Sequence, residues 1–398
     1  MPWRDELAAK HAARKRDQLW RQRRAITSPQ GVEVSVDGKQ FLNFCSNDYL
    51  GLANHPDVIA AAIAATQQRG TGSGASHLIC GHSDEHHQLE QQIADFVGAE
   101  QAIVFSTGYM ANLAIPQTFL GRDDLIVQDR LNHASLIDGG RYCDARMKRY
   151  PHHDVAQADG LLAASSASRK LVSTDGVFSM DGTVAPVTEL KTITDNRQAM
   201  LVVDDAHGFG VLGSSGTGTL ESAGLTVSGN ILMVGTLGKS AGSFGAFVAG
   251  DAVYIETLIQ FARTYIYTTA LPPSVVAATS AAIKIIADEP QRRAKLNDNI
   301  SQFRESLQAA ETGLSSSETP IQPILLGSAE KALKASQFLK SSGIWVTAIR
   351  PPTVPVESAR LRIALSSAHQ PEHIERLTKL LRSDEMKRII EESIGESA

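Results

Sequence analysis

Four short segments carry residue types able to do covalent or acid–base chemistry. In VVDDAHG (202–208) an apolar run ends in Asp204, with His207 three residues further on. In ILMVGTLGKS (231–240) the next apolar run ends in Thr236 and then Lys239. FSTGYMAN (105–112) passes from apolar to small residues and opens a helical stretch. The amides of Gly108 and Tyr109 would lack intrahelical partners there and could cradle an anion such as phosphate. DGVFSMDG (175–182) adds the hydroxyl of Ser179. A carboxylate, an imidazole, an amine and an anion cradle thus recur at the ends of strand-like runs.

That set is what pyridoxal 5'-phosphate (PLP) requires. The lysine would form a Schiff base with the cofactor aldehyde, and the carboxylate would keep the pyridine nitrogen protonated, so that the ring accepts electrons from a substrate carbanion. Other readings of the same residues fit less well. A nucleotide-binding P-loop needs G-x-x-x-x-G-K-[ST], and Met233 stands where its first glycine belongs. GFGVLG (208–213) matches G-x-G-x-x-G but runs into SSGTGTL, whereas a dinucleotide site needs a helix opening inside the glycines. GHSDEHHQLE (81–90) sets His82 and His86 four apart, and PHHD (151–154) adds two imidazoles. Without an HExxH motif or a cysteine set we expect these histidines to be solvated and to bind no metal.

The elements that must position these residues can be read from periodicity. Apolar strands are expected at QAIVFST (101–107), DLIVQD (124–129), RKLVSTD (169–175), AMLVVDD (199–205), ILMVGT (231–236) and GAFVAG (245–250). Helical or irregular stretches separate most of them, which predicts an α/β fold with a mostly parallel sheet covered on both faces. Ligands then gather at the carboxyl ends of the strands. Before this sheet, residues 4–24 read as a helix, GVEVSVDGKQFLNFCS (31–46) as a hairpin turning at Asp37-Gly38, and residues 57–69 and 84–97 as helices. After it, ALPPS (270–274) opens a helix to about residue 287, and IQPILLG, WVTAI and RLRIALS supply strands of a smaller α+β module. We expect an N-terminal segment over 1–50, a large PLP-binding domain over 51–286 and a C-terminal domain over 287–398.

Composition sets wide bounds. At 398 residues, 42% hydrophobic and 20% charged, the chain has an ordinary globular make-up. Its net charge of −5 gives no reason to expect nucleic acid as a partner. Cys45, Cys80 and Cys143 are scattered without a C-x-x-C, so neither a disulfide framework nor a thiolate zinc site is expected, in keeping with a reducing cytoplasm. No apolar run is long enough to span a bilayer. The basic N-terminal stretch, with Arg21, Arg23 and Arg24 at its end, suits either a solvated helix or an arm that meets an anionic substrate.

Over residues 41–369 the chain resembles the α-oxoamine synthases, fold-type I PLP enzymes that join an amino acid to an acyl thioester. The resemblance lies in NFCSNDYLGLANHP, GTGSGASHLICGHSDEHHQLE, FSTGYMANLA, LNHASLIDG, DGVFSMDGTVAPV, VVDDAHGFGVLG, GTLGKSAGSFGAF, YIYTTALPP and ARLRIALSSAH. It implies that Lys239 carries the cofactor, that Asp204 pairs with the pyridine nitrogen and His207 with the ring hydroxyl, and that His133 stacks on the ring. Gly108, Tyr109, Ser179 and Thr236 fall where the family holds the phosphate or the cofactor's rim, and Asn47 and Arg362 where it holds the amino-acid carboxylate. The guanidinium fork suits that last task. Asp175 stands where glutamate is commoner in the family, and its shorter side chain would reach a partner differently.

LWRQRRA (19–25) and WVTAIRPPTVP (345–355) make the chain most similar to the biotin-pathway member, which condenses L-alanine with pimeloyl-CoA or pimeloyl acyl carrier protein. By that resemblance Arg21 and Thr353 meet the acyl substrate, and the active enzyme is a homodimer. Members that use glycine with acetyl-CoA or succinyl-CoA remain alternatives, as does a PLP transaminase, because one methyl group adds little binding energy.

Overall fold

In a computed structural model, which describes residues 2–17, 19–308 and 313–391, the strands in chain order are β1 (Glu33–Val36), β2 (Lys39–Asn43), β3 (Gln101–Phe105), β4 (Leu125–Asp129), β5 (Arg146–Tyr150), β6 (Lys170–Asp175), β7 (Met200–Asp204), β8 (Ile231–Thr236), β9 (Ala246–Gly250), β10 (Ile321–Gly327), β11 (Ile344–Trp345), β12 (Thr347–Ile349) and β13 (Ala359–Ala364). The helices used below are α1 (Pro2–Arg16), α2 (Pro56–Arg69), α3 (Asp84–Val97), α4 (Gly108–Phe119) and α5 (Ala134–Tyr142). The chain divides into two compact units, one of Met1–Asn47, Met180–Gly182 and Lys295–Ala398, the other of Asp48–Ser179 and Thr183–Ala294.

The larger unit is built on a seven-stranded sheet in the order β3-β9-β8-β7-β6-β4-β5. Strand β9 runs antiparallel to both its neighbours, and every other pairing is parallel. Strands β4, β7 and β9 are short apolar runs with almost every residue buried, as expected when helices cover both faces of a sheet. Their side chains Ile126, Val202 and Val248 pack with Leu171 and Leu232 against Ala111, Ala114 and Ile115 of α4. Truncating one such residue to alanine would cost about 2–5 kcal/mol. Strand β5 is not announced by an apolar run in the sequence. It is RMKRY, largely exposed, and lies at the sheet edge, where charged side chains discourage further strand pairing.

In the smaller unit, β1 and β2 form the expected hairpin, with Asp37 at φ 50° and Gly38 at φ 76°. Two consecutive positive φ values are the mark of a turn matched to the twist of the strands. Strand β11 pairs with β2, and β10-β13-β12 form a separate antiparallel sheet. The N-terminal helix is shorter than its composition suggested: α1 ends at Arg16. The Leu19 amide turns back to the Arg14 carbonyl, and His11 and Trp20 meet edge to face at 5.3 Å.

Candidate active site

The carboxyl ends of the parallel strands collect the residues that the sequence singled out. Asp204 closes β7 and is 6% exposed. Its Oδ2 accepts from Asn112 Nδ2 at 2.6 Å, and its Oδ1 from the Ala206 amide at 3.1 Å. Asn112 lies on the inward face of α4, itself buried, and also reaches Ser135 Oγ at 2.8 Å. A buried carboxylate held by donors on two sides has a fixed direction, which a partner cation or N–H can use.

Next to β7, the turn after β8 carries Lys239. Its Nζ lies 2.7 Å from His207 Nε2, and His207 Nδ1 lies 2.7 Å from Tyr49 Oη. Tyr49 is fully buried and His207 nearly so. An ammonium can only donate. With Lys239 protonated, His207 Nε2 therefore accepts and its Nδ1–H donates to Tyr49. With a neutral amine the direction of the chain can reverse, which links the orientation of the tyrosine hydroxyl to the proton count at Nζ.

The turn from Leu237 to Gly245 is closed by backbone bonds from Leu237 N to Gly245 O and from Ser243 N to Leu237 O, both 2.9 Å. Gly242 has φ 60°, and a Cβ there would lie 2.3 Å from the Ala53 nitrogen. No helix starts behind Lys239, so the GKS sequence does not build a phosphate-binding loop of the nucleotide type.

His133 is the N-cap of α5, and its Nδ1 accepts from the Ser135 amide at 3.3 Å and lies 2.7 Å from Ser135 Oγ. These bonds orient Nε2 away from the helix. The His133 amide is in turn fixed by Asp175 Oδ2 at 2.6 Å. Asp175 pairs in register with Asp204 on the neighbouring strand. Complete burial, together with the charge of Asp204, pushes the Asp175 carboxyl well above the usual range. The shorter side chain therefore finds its partner in the backbone of the histidine loop. Asp205 faces the other way, as alternation along a strand requires, and accepts from Thr219 N at 2.6 Å and Thr219 Oγ1 at 2.5 Å. Burial raises its carboxyl to about 6. It anchors the loop that contains GFGVLG: a Cβ on Gly208 would lie 2.1 Å from Asp205 Oδ1. That motif is a turn around a buried carboxylate, and the dinucleotide reading falls away.

The start of α4 fits an anion. Thr107 caps it by accepting from the Met110 amide at 3.2 Å, which leaves the Gly108 and Tyr109 amides pointing out of the first turn. A Cβ on Gly108 would meet only Ala246 Cβ, at 3.9 Å, so its backbone is open to close approach. The Tyr109 ring is directed elsewhere, its hydroxyl bonding Asp138. Thr236 is half-buried and donates to the Gly245 carbonyl at 3.2 Å; Ser179 is also half-buried. An oriented carboxylate group, an amine with an imidazole beside it and an open helix N-terminus are together a donor set that suits PLP.

The remaining residues that the sequence assigned to substrates belong to the smaller unit and form two pairs. Arg362, 8% exposed on β13, donates to Asn47 Oδ1 at 3.1 Å. Arg21 donates to Thr353 Oγ1 at 3.2 Å, and it is Arg24 that pairs with Asp37 at 3.0 Å. The residues that sequence reasoning missed are Tyr49, Asn112 and Ser135. Each lies inside a segment already singled out for its motif, and Asn112 stands one helical turn after Gly108, a spacing that places it under the first turn.

Residues 39–381 match the family described as aminotransferase class I and II. The 8-amino-7-oxononanoate synthase of Cellvibrio japonicus is 52% identical over 375 residues, 94% of either chain. That of Nitrosococcus oceani is 52% identical over 370 residues, 92% of this chain and 98% of that one. Among solved structures, a serine palmitoyltransferase from S. paucimobilis with bound PLP–myriocin aldimine is similar with a TM-score of 0.91 at 31% identity, covering 97% of this chain and 98% of the other. The 8-amino-7-oxononanoate synthase of Francisella tularensis gives 0.76 at 34% identity, covering 87% and 98%.

Proposed function

Because this chain belongs to the class I and II aminotransferase family and, within it, to the 8-amino-7-oxononanoate synthases, we propose that it condenses L-alanine with a pimeloyl thioester. The products are 8-amino-7-oxononanoate, carbon dioxide and a free thiol, the thiol being coenzyme A or an acyl carrier protein. The cofactor is PLP, which supplies an electron sink for the amino-acid α-carbon. The observation that carries this reading is the Tyr49–His207–Lys239 chain beside the doubly held Asp204.

Each residue has a distinct task. Lys239 Nζ would carry the cofactor and, as a free amine, would take the α-proton; His207, held by Tyr49 beside Nζ, would orient that amine and meet the ring hydroxyl. Asp204 would pair with the pyridine nitrogen, its two oxygens held in place by Asn112 and the Ala206 amide. His133, presenting its ring from the N-cap of α5, would stack on the cofactor. The amides of Gly108 and Tyr109, with the hydroxyls of Ser179 and Thr236, would hold the phosphate. Arg362 and Asn47 take the alanine carboxylate, so that the bond to be broken is held in one orientation. Arg21 and Thr353 meet the acyl group.

We further propose a homodimer in the cytoplasm. Ile79 and Tyr267, 78% and 72% exposed, are apolar side chains that a second copy would cover. Among the described residues, no helix is long and apolar enough to cross a membrane.

Steady-state turnover tests the substrate assignment. Alanine, glycine and serine are each offered with pimeloyl, acetyl and palmitoyl thioesters. The expected preference is alanine with the pimeloyl donor. Preference for glycine with acetyl, or for serine with palmitoyl, would overturn the biotin-pathway reading.

A further inference from the structure

The histidine-rich segment that opens α3 takes no part in the chemistry above, and its side chains sort into two groups. His86 is turned inward: its Nδ1 lies 2.9 Å from Ser83 Oγ and accepts the Ser83 amide at 3.1 Å, while its Nε2 lies 2.8 Å from the Leu271 carbonyl. His86 is thus fully buried rather than solvated as the sequence suggests, because both its ring nitrogens are taken up by the Ser83 turn and the Leu271 carbonyl. His82, His87 and Glu90 differ. One donor atom from each of them lies within 4.8 Å of the other two, and His82 Nε2 is 3.9 Å from Glu90 Oε2.

Two of these three side chains are already held from behind. Glu90 Oε1 accepts from the Val104 amide at 2.9 Å, which turns Oε2 toward His82. His82 Nδ1 lies 2.9 Å from Nδ1 of His77, whose ring stacks on Tyr265 at 4.8 Å and 17°. A hydrogen bond from one ring nitrogen fixes which other nitrogen can bind a metal. When His82 Nδ1–H donates to His77, the lone pair on His82 Nε2 faces the Glu90 carboxylate oxygen. The two side chains then face each other beside the exposed imidazole of His87, and a cation between them would take one ligand atom from each of the three.

We propose that His82, His87 and Glu90 form a binding site for a divalent first-row transition ion of the zinc class, which clasps the turn before α3 to the helix. Two imidazoles and one carboxylate, with a fourth position left to water, are donors such an ion accepts. At bonds of about 2.0–2.1 Å, tetrahedral ligand atoms stand about 3.4 Å apart. The 3.9 Å between His82 Nε2 and Glu90 Oε2 would have to shorten by about 0.5 Å, with the exposed His87 ring placed to complete the set.

The test is isothermal titration of the PLP-loaded enzyme with zinc chloride, repeated on His87→Ala, Glu90→Gln and His77→Phe, with thermal melts in chelator to verify folding. His87 is exposed, so its alanine variant keeps the experiment decisive even if a buried change disturbs the fold. The expected result is one zinc ion per chain beyond any bound through the cofactor. His87→Ala and Glu90→Gln should weaken it at least tenfold, and His77→Phe by about 10–100-fold, the usual effect of removing a group that orients a ligand. Absence of that ion in the unaltered enzyme, or equal affinity in His87→Ala, would overturn the proposal.

Discussion

Replacing Tyr49 by phenylalanine isolates the contribution of the hydroxyl that supports His207. The two groups are 2.7 Å apart, Tyr49 is fully buried and His207 is 6% exposed, so water does not readily replace the lost bond. Removing one partner of a buried hydrogen bond costs about 1–3 kcal/mol. The ring itself is retained, and packing therefore changes little. If that cost falls on the orientation of His207, and through its 2.7 Å contact on Lys239, cofactor affinity and kcat/KM together should fall by about 5- to 150-fold. Absorbance titration of the apoenzyme with PLP reads the first quantity and single-substrate kinetics the second. Thermal melts of the apoenzyme distinguish a general loss of stability from a local one. Values within twofold of the unaltered enzyme in both assays would refute the relay from tyrosine through histidine to lysine.

Two further perturbations probe other parts of the account. Lys239→Ala should bind PLP only reversibly and lose turnover, and borohydride reduction followed by peptide mass analysis should find the cofactor on Lys239 in the unaltered enzyme and on no peptide of the variant. His369 stacks on Phe44 at 4.2 Å, and burial lowers its pKa to about 4. The unfolded chain therefore binds the extra proton first as pH falls below about 6.5, and stability contributed by the neutral ring, about 3 kcal/mol in all, is lost between there and pH 4. Denaturant unfolding of His369→Phe over the same range should show a shallower acid dependence, and an unchanged slope would contradict the assignment.

Much of this was legible in the sequence because the strands of the large sheet are buried on both faces and so read as apolar runs. Strand β5 was not, since its arginines and lysine suit an edge and mask the period. The end of α1 was not either: Arg21 and Arg24 are acceptable helix residues, and only their bonds to Thr353 and Asp37 show that the chain has left the helix. In the active site, Lys239, Asp204 and His207 stood out because reactive side chains at strand ends are unusual. Tyr49 and Asn112 did not, because an aromatic and an amide on apolar segments normally read as packing. Their importance depends on contacts 158 and 92 residues away in the chain, which no local pattern records. Asp175 illustrates the same limit: its type predicted a different reach, but only the fold showed that it reaches the His133 amide.

The central claim is that carbon–carbon bond formation is coupled to loss of the amino-acid carboxylate. L-Alanine labelled with carbon-13 at the carboxyl carbon, supplied with pimeloyl-CoA, tests it in one experiment. The label should leave as carbon dioxide in step with free thiol, and the amino ketone should carry none. Label retained in the organic product, or recovered in pyruvate without release of thiol, would contradict it.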